Sequence, residues 1–195
     1  MSKKPESTFM NMVIRLFIIV GLAGAVLGFV YIQTFDVIAA AKKKKLEEAI
    51  GQVVPAFDTL NVYTRMPATG KDSITFYEAY KNDSLVGTAI ATYTEKGFSG
   101  VFKIMVGFDP QGVIINTSVL EHKETPGLGD KMDKSKSDWS IQFNGKDPKT
   151  YKLTVTKDGG DVDAITAATI SSRAFCDATD RAYKTYKEKG GNDNE

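Results

Sequence analysis

The run Leu16 to Phe35, LFIIVGLAGAVLGFVYIQTF, holds about twenty residues without a charge. At about 1.5 Å of rise per residue it spans about 30 Å as a helix, the thickness of a bilayer's hydrocarbon core. A cleaved signal has a shorter apolar core, although Ala39, Ala40 and Ala41 imitate its cleavage site. A buried soluble helix is rarely so uniformly apolar. The run therefore predicts a retained single-pass anchor over 13–36, behind a short tail at 1–12. Gly21, Gly24 and Gly28 leave small surfaces for packing against other membrane helices, and Tyr31 sits where an interfacial aromatic would lie. Lys3, Lys4 and Arg15 precede the run, while Lys42 to Lys45 follow it. That balance leans slightly towards a cytoplasmic C-terminal side and does not fix the orientation.

The rest of the chain allows one globular domain. With 25 basic and 24 acidic residues the net charge is +1, so nothing points to a nucleic-acid partner. Cys176 and His122 are the only cysteine and histidine. A cysteine-ligated iron–sulfur cluster takes about four thiolates and a structural zinc about four Cys or His ligands, so the chain alone builds neither. Electron chemistry would need an organic cofactor. His122 reads as a hydrogen-bonded scaffold residue and Cys176 as a small core residue.

After the anchor, 39–54 reads as a helix with an apolar stripe of Leu46, Ala49, Ile50 and Val53, stopped by Pro55. The period then changes to two. Strands are predicted at 74–80, 85–94, 101–108, 113–120 and 151–156. Turns fall at Asn82-Asp83-Ser84, at Asp109-Pro110-Gln111-Gly112 and at Asp158-Gly159-Gly160. Such short connections imply an antiparallel sheet. From Thr169 the pattern is helical again, with Ile170, Ala174, Ala178, Ala182 and Tyr186 on one face. The expected fold class is α+β, an antiparallel sheet with helices, preceded by one N-terminal transmembrane helix.

Two constellations carry chemistry. In Asp163-Ala-Ile-Thr166-Ala-Ala168-Thr169-Ile-Ser171-Ser172, small residues let a bulky group approach the backbone. Thr169 stands where the helix opens, and free N–H groups there favour an anionic phosphate. Ordinary capping by Thr166, Thr169 or Ser171 explains the same residues. In His122-Lys-Glu124-Thr125-Pro-Gly127-Leu128-Gly129-Asp130, the central residues read as a type II turn with Pro126 second and Gly127 third. A plain surface turn explains that segment equally well.

The segment DxxTAATxSS resembles the flavinylation motif, Asp-x-x-(Ser/Thr)-Gly-Ala-Thr, of the FMN-binding domain family. The resemblance implies that the Thr169 hydroxyl is joined to the phosphate of flavin mononucleotide (FMN) by a flavin transferase, with Asp163, Thr166, Ala168, Ser171 and Ser172 around it. Ala167 departs from the pattern where the family usually has glycine, and a methyl there hinders attachment if the position needs φ > 0. HKETPGLGD resembles the flavin-side loop found in the G subunit of the Rnf complex and in the C subunit of sodium-pumping NADH:quinone reductase. It implies that Glu124, Thr125, Gly127, Leu128 and Gly129 lie beside the flavin ring.

The order and length of the segments are more similar to the G subunit of Rnf. That implies an electron relay with covalent FMN and no catalytic or metal residues of its own. Its complex would move electrons between ferredoxin and NAD⁺ while pumping Na⁺ or H⁺, together with other membrane and peripheral subunits. The resemblance implies an FMN-binding domain at 56–189, behind the membrane-proximal helix and linker at 37–55 and ahead of a tail at 190–195 whose residues, GGNDNE, read as disordered. It puts that domain on the extracytoplasmic side of the cytoplasmic membrane. The alternatives are the quinone-reductase subunit, or a membrane-anchored binding module with no flavin.

Overall fold

The computed structural model describes residues 9–192. The chain divides into two compact units at Lys44/Lys45, inside the first helix. Helix α1 runs Phe9–Val53, joining the expected anchor and membrane-proximal helix without a break. The reason is local: from Asp36 to Lys45 the sequence holds no glycine or proline, and its alanines and lysines are strong helix formers. Among the described residues it is the one helix long and apolar enough to cross a membrane, with a mean hydropathy of 2.5 over its most apolar stretch. None of that stretch is covered by protein, so its apolar side chains fit a single-pass membrane anchor rather than a core. Residues 1–8 of the expected tail lie outside the described residues.

In the second unit five strands form one antiparallel sheet in the order of the chain: β1 (Thr59–Arg65), β2 (Ile74–Lys81), β3 (Ser84–Gly97), β4 (Gly100–Phe108) and β5 (Ile114–Glu121). The β2–β3 turn places Asn82 and Asp83 at φ 49° and 61°, the left-handed pair that a two-residue hairpin requires. At the β4–β5 connection, Asp109 Oδ1 accepts from the N–H groups of Gln111 and Val113.

Each face of the sheet buries its own cluster. On one, Ala49, Ile50 and Val53 at the end of α1 pack on Ala79, Ala89 and Met105, as the predicted stripe requires. The approach is so close that a Cβ on Gly107 would lie 1.8 Å from the Val53 carbonyl oxygen. On the other face, helix α2 (Thr169–Asn192) packs Ala174, Phe175, Ala178 and Ala182 against Phe76, Ile90, Ile104, Val106 and Phe108. Alanines at i, i+4 spacing bring the helix axis close enough for Thr92 Oγ1 to donate to the Ala178 carbonyl. Arg181, buried here, donates to the carbonyls of Thr69 and Tyr93 and pairs with Asp177.

Four expectations need correction. Residues 151–156 are not a strand; only Val155 makes an isolated parallel bridge, to Val162. The outer edge of β5 at Ile114 is taken by Lys146 and Gly145, and the 151–156 backbone is satisfied locally, with Lys152 N–H donating to Asp161 Oδ2. Strand β1 was not anticipated. Its Leu60 and Val62 stay exposed, so no buried alternation marks it, and its place is set by pairing with β2 and by Tyr63 stacked on Phe76 at 5.1 Å. Ile170 leaves the predicted apolar face of α2 and is 47% exposed. Finally, α2 continues through Asn192, past the start of the expected tail, whereas 193–195 lie outside the described residues.

Candidate functional site

Two turns of the same type build the site. In the first, the Leu128 N–H donates to the Thr125 carbonyl at 3.1 Å, closing Thr125–Leu128 around Gly127 at φ 78°. In the second, the Ala168 N–H donates to the Ile165 carbonyl at 3.0 Å, closing Ile165–Ala168 around Ala167 at φ 61°. A positive φ at the third position alone marks a type II turn, where glycine is the residue without strain. Gly127 meets that demand. Ala167 meets it with a methyl in the left-handed region, at the one position where the motif departs from its usual glycine.

The second turn delivers the chain into α2 with Thr169 as the first helical residue. Among the described residues, no backbone carbonyl accepts from the N–H groups of Thr169, Ile170 or Ser171, and nothing is bonded to the Thr169 hydroxyl. Thr169 is half-buried, with three free donors at the positive end of the helix. Ser172 is the true cap of this turn. Its Oγ accepts from Ile165 N–H at 2.9 Å and donates to the Ala168 carbonyl at 3.1 Å. Thr166 and Asp163 are exposed. The Asp163 backbone is clasped by Gln142, which accepts from its N–H at 2.8 Å, while Trp139 Nε1 donates to its carbonyl at 2.6 Å. Trp139 in turn stands edge-on to Phe175 at 5.2 Å, anchoring the approach to the motif on the core.

Glu124 ties the two turns together. It is 4% exposed, and its carboxylate accepts from Ser99 N–H at 2.9 Å on one oxygen and from Ser171 Oγ at 2.5 Å on the other. One side chain thus fastens the β3–β4 hairpin tip and the first turn of α2 to the loop. A Cβ on Gly129 would stand 2.5 Å from Ser171 Oγ and 2.6 Å from Glu124 Oε2, so this glycine makes room for the brace. Gly127 has open space around it and is required by its φ alone. His122 serves the same loop, its Nδ1 accepting from Glu124 N–H, as the scaffold reading expects.

Of the residues expected here, Glu124, Thr125, Leu128, Gly129, Ala168 and Ser171 border one small cavity of about 70 Å³, with Ala167. Phe98, at the hairpin tip, completes it and was not anticipated, although an aromatic flanked by Gly97 and Ser99-Gly100 was legible as an odd residue for a turn. Gln142 and Trp139 were missed as clasps of Asp163 because their contacts are tertiary. A larger cleft of about 570 Å³ opens further along α2, beside Arg173, Cys176, Asp177 and Asp180. Three ion pairs line it: Arg173 with Asp158 at 2.6 Å, Lys96 with Asp177 at 2.5 Å and Lys184 with Asp180 at 2.6 Å. The Arg173 hydrogen bonds hold Asp158 below the usual carboxylate range. Burial pushes the Cys176 thiol up to about 12, so it is a core group and not a nucleophile.

The fit to FMN is specific in one respect. An unengaged hydroxyl, free helix-end donors and small neighbours suit a phosphate ester at Thr169. The adjoining cavity is too small to enclose a tricyclic ring.

An anchored α+β unit with a helix-start hydroxyl beside a type II turn is the class that this geometry defines. Residues 97–184, which hold both turns and the start of α2, match the FMN-binding domain family. A protein of Aliivibrio fischeri (strain MJ11), named as the G subunit of an ion-translocating oxidoreductase complex, is 35% identical over 193 residues, covering 92% of this chain and 91% of its own. Its counterpart from Vibrio vulnificus (strain YJ016), with the same name, is 34% identical over 155 residues, 74% of each chain. The Salmonella typhi protein of that name is 44% identical over 119 residues, covering 60% of this chain and 58% of its own length. The chain belongs to this family of FMN-binding G subunits.

Proposed function

We propose that this protein is a membrane-anchored electron-transfer subunit whose FMN is esterified through its phosphate to Thr169, within a ferredoxin:NAD⁺ oxidoreductase that couples electron flow to Na⁺ or H⁺ translocation. The observation that carries the reading is the unengaged Thr169 hydroxyl at the first residue of α2, flanked by three unpartnered N–H groups inside an FMN-binding domain. FMN supplies reversible electron uptake and release, and the chain supplies position and surroundings. Esterification forms a bond from Thr169 Oγ to the flavin phosphorus and breaks that phosphorus's anhydride bond to the second phosphate of the activated flavin. That phosphate-bearing group is released together with the hydroxyl proton. A flavin transferase holding an activated flavin phosphate is therefore the maturation partner. The helix-end N–H groups then neutralise the phosphate, and Glu124 keeps the loop with Leu128 fixed relative to it. The remaining partners are the other membrane and peripheral subunits of the complex. The relatives' names support membership of an ion-translocating oxidoreductase.

The soluble unit is assigned to the extracytoplasmic side, where a dissociated flavin could not be replaced from the cellular pool. One experiment reads both statements. The full chain is co-expressed either with an exported flavin transferase or with one lacking its export signal, and its intact mass is measured. An FMN increment is expected only with the exported enzyme, and only while Thr169 is present. An increment that survives Thr169→Ala would move the link, Thr166 being the nearest alternative hydroxyl. An increment gained from the cytoplasmic transferase alone would reverse the topology.

A further inference from the structure

Between the Val155–Val162 bridge and the turn at 165–168, Asp163 and Ala164 take no backbone partner among the described residues. Two side chains hold this gap. Gln142 Oε1 accepts from the Asp163 N–H at 2.8 Å, and Nε2 of the same amide donates to the Asp163 carbonyl at 3.2 Å. Trp139 Nε1 donates to that carbonyl at 2.6 Å. Both side chains come from the 3₁₀ turn Trp139–Phe143, where three residues per turn bring i and i+3 to one side. The clasp is itself anchored. Gln142 Nε2 also donates to the Trp139 carbonyl at 3.0 Å, and the indole stands edge-on to Phe143 at 5.5 Å and to Phe175 of α2 at 5.2 Å.

Backbone satisfaction does not require this arrangement. Asp163 is exposed, so water would serve its N–H and carbonyl at little net difference in free energy. What the clasp adds is a fixed position. At the other end of the motif, Ser172 holds the Ile165 N–H and the Ala168 carbonyl. Segment 163–172 is thus pinned at both ends to the body that carries α2. Between the pins, the Asp163 carboxylate and the Thr166 hydroxyl are exposed and have no partner among the described residues, like the hydroxyl of Thr169.

We infer that Trp139 and Gln142 are positioning residues for flavin attachment: they hold the first residue of the motif in place, so that the transferase meets Asp163, Thr166 and Thr169 as one preset surface. This rests on the Thr169 attachment proposed above. Neither residue lies in the motif, and both act through the Asp163 backbone. An acceptor segment that moves freely binds its enzyme only in the fraction of molecules holding the right shape, and its apparent affinity falls by that fraction. Releasing the clasp should therefore weaken binding of the chain to the transferase. The rate within the bound complex should stay as it was, because Ser172 and α2 still set Thr169.

The test follows transfer from flavin adenine dinucleotide, a flavin phosphate in anhydride linkage, to the full chain in detergent by a purified flavin transferase. Intact mass is the readout and the concentration of the chain is varied. Gln142→Ala opens the clasp on both backbone groups of Asp163. Trp139→Phe deletes the Nε1–H donor and keeps an aromatic ring against Phe143 and Phe175, so it decides the matter should Gln142→Ala lose its fold. Each variant is expected to raise KM for the chain severalfold with kcat unchanged. Tyr186→Phe is the matched control. It removes a side-chain donor to the carbonyls of Asp109 and Pro110, far along α2, and should leave KM as in the parent. Amide exchange at Asp163, read without any flavin, should quicken severalfold in Gln142→Ala while exchange along α2 keeps the parent's rate. A KM equal to the parent's in both clasp variants, a loss that falls on kcat alone, or unchanged exchange at Asp163 would overturn the inference and leave the attachment standing. So would an equal rise of KM in Tyr186→Phe, since the effect would then be a general loosening. A parent chain that gains no FMN at Thr169 would overturn the attachment and this inference together.

Discussion

Ala167 is the residue whose replacement should improve the protein. It occupies the third position of the turn that presents Thr169, at φ 61°. An L side chain in the left-handed region costs about 1–2 kcal/mol, because its Cβ crowds the following carbonyl. Glycine removes that cost and returns about 0.5–1 kcal/mol as extra freedom of the unfolded chain. The difference leaves Ala167→Gly more stable by about 0.5–1 kcal/mol. For a domain of this size about 1 kcal/mol moves the midpoint by about 2–4 °C, so the expected rise is about 1–4 °C. The methyl is exposed, so deleting it opens no cavity to offset the gain. Ala167→Val should shift the other way by about 1–3 kcal/mol, since a β-branched residue tolerates positive φ least. Thermal and urea unfolding of the full chain in detergent, followed by circular dichroism, should rank the midpoints Gly, Ala, Val. A glycine variant less stable than the parent would show that the turn does not hold Ala167 in a left-handed conformation. The transferase should attach FMN in the same order if access to this turn limits the reaction.

Two further outcomes follow from the groups on α2. Cys176, with its thiol raised to about 12 by burial, should resist a disulfide reagent at pH 8 in the folded protein and react fully in denaturant; rapid native labelling would contradict its core placement. Burial disfavours the charge on Asp177, but hydrogen bonds from Lys96 and Thr94 and the Arg181 charge outweigh it and leave the carboxyl below its ordinary 3.8. A depressed folded pKa gives stability that is complete above the unfolded value and is lost as pH falls through the folded one. Asp177→Asn should therefore cost about 1–3 kcal/mol at pH 7 and progressively less below about pH 4. An undiminished cost at pH 3, read by urea unfolding, would show that the penalty is steric and not ionic.

Features that depend on composition and short-range geometry are legible in the residues alone. A charge-free run of membrane length declares an anchor whatever follows it. The turn at Asn82-Asp83 and the Thr125–Leu128 turn can be read because each needs a residue type that tolerates positive φ. The start of α2 can be read because periodicity resumes there, and with it the position of Thr169. Long-range pairing controls the rest. Strand β1 has no buried face of its own and exists through β2. Residues 151–156 look like a strand and lose that form because the outer edge of β5 is already occupied at Ile114. Glu124 reads in the sequence as one more residue of a flavin-side loop. In the fold it is a buried brace between segments 25 and 47 residues away, Ser99 and Ser171, which no local pattern records. Phe98 reaches the surroundings of Thr169 only because that brace holds its hairpin there.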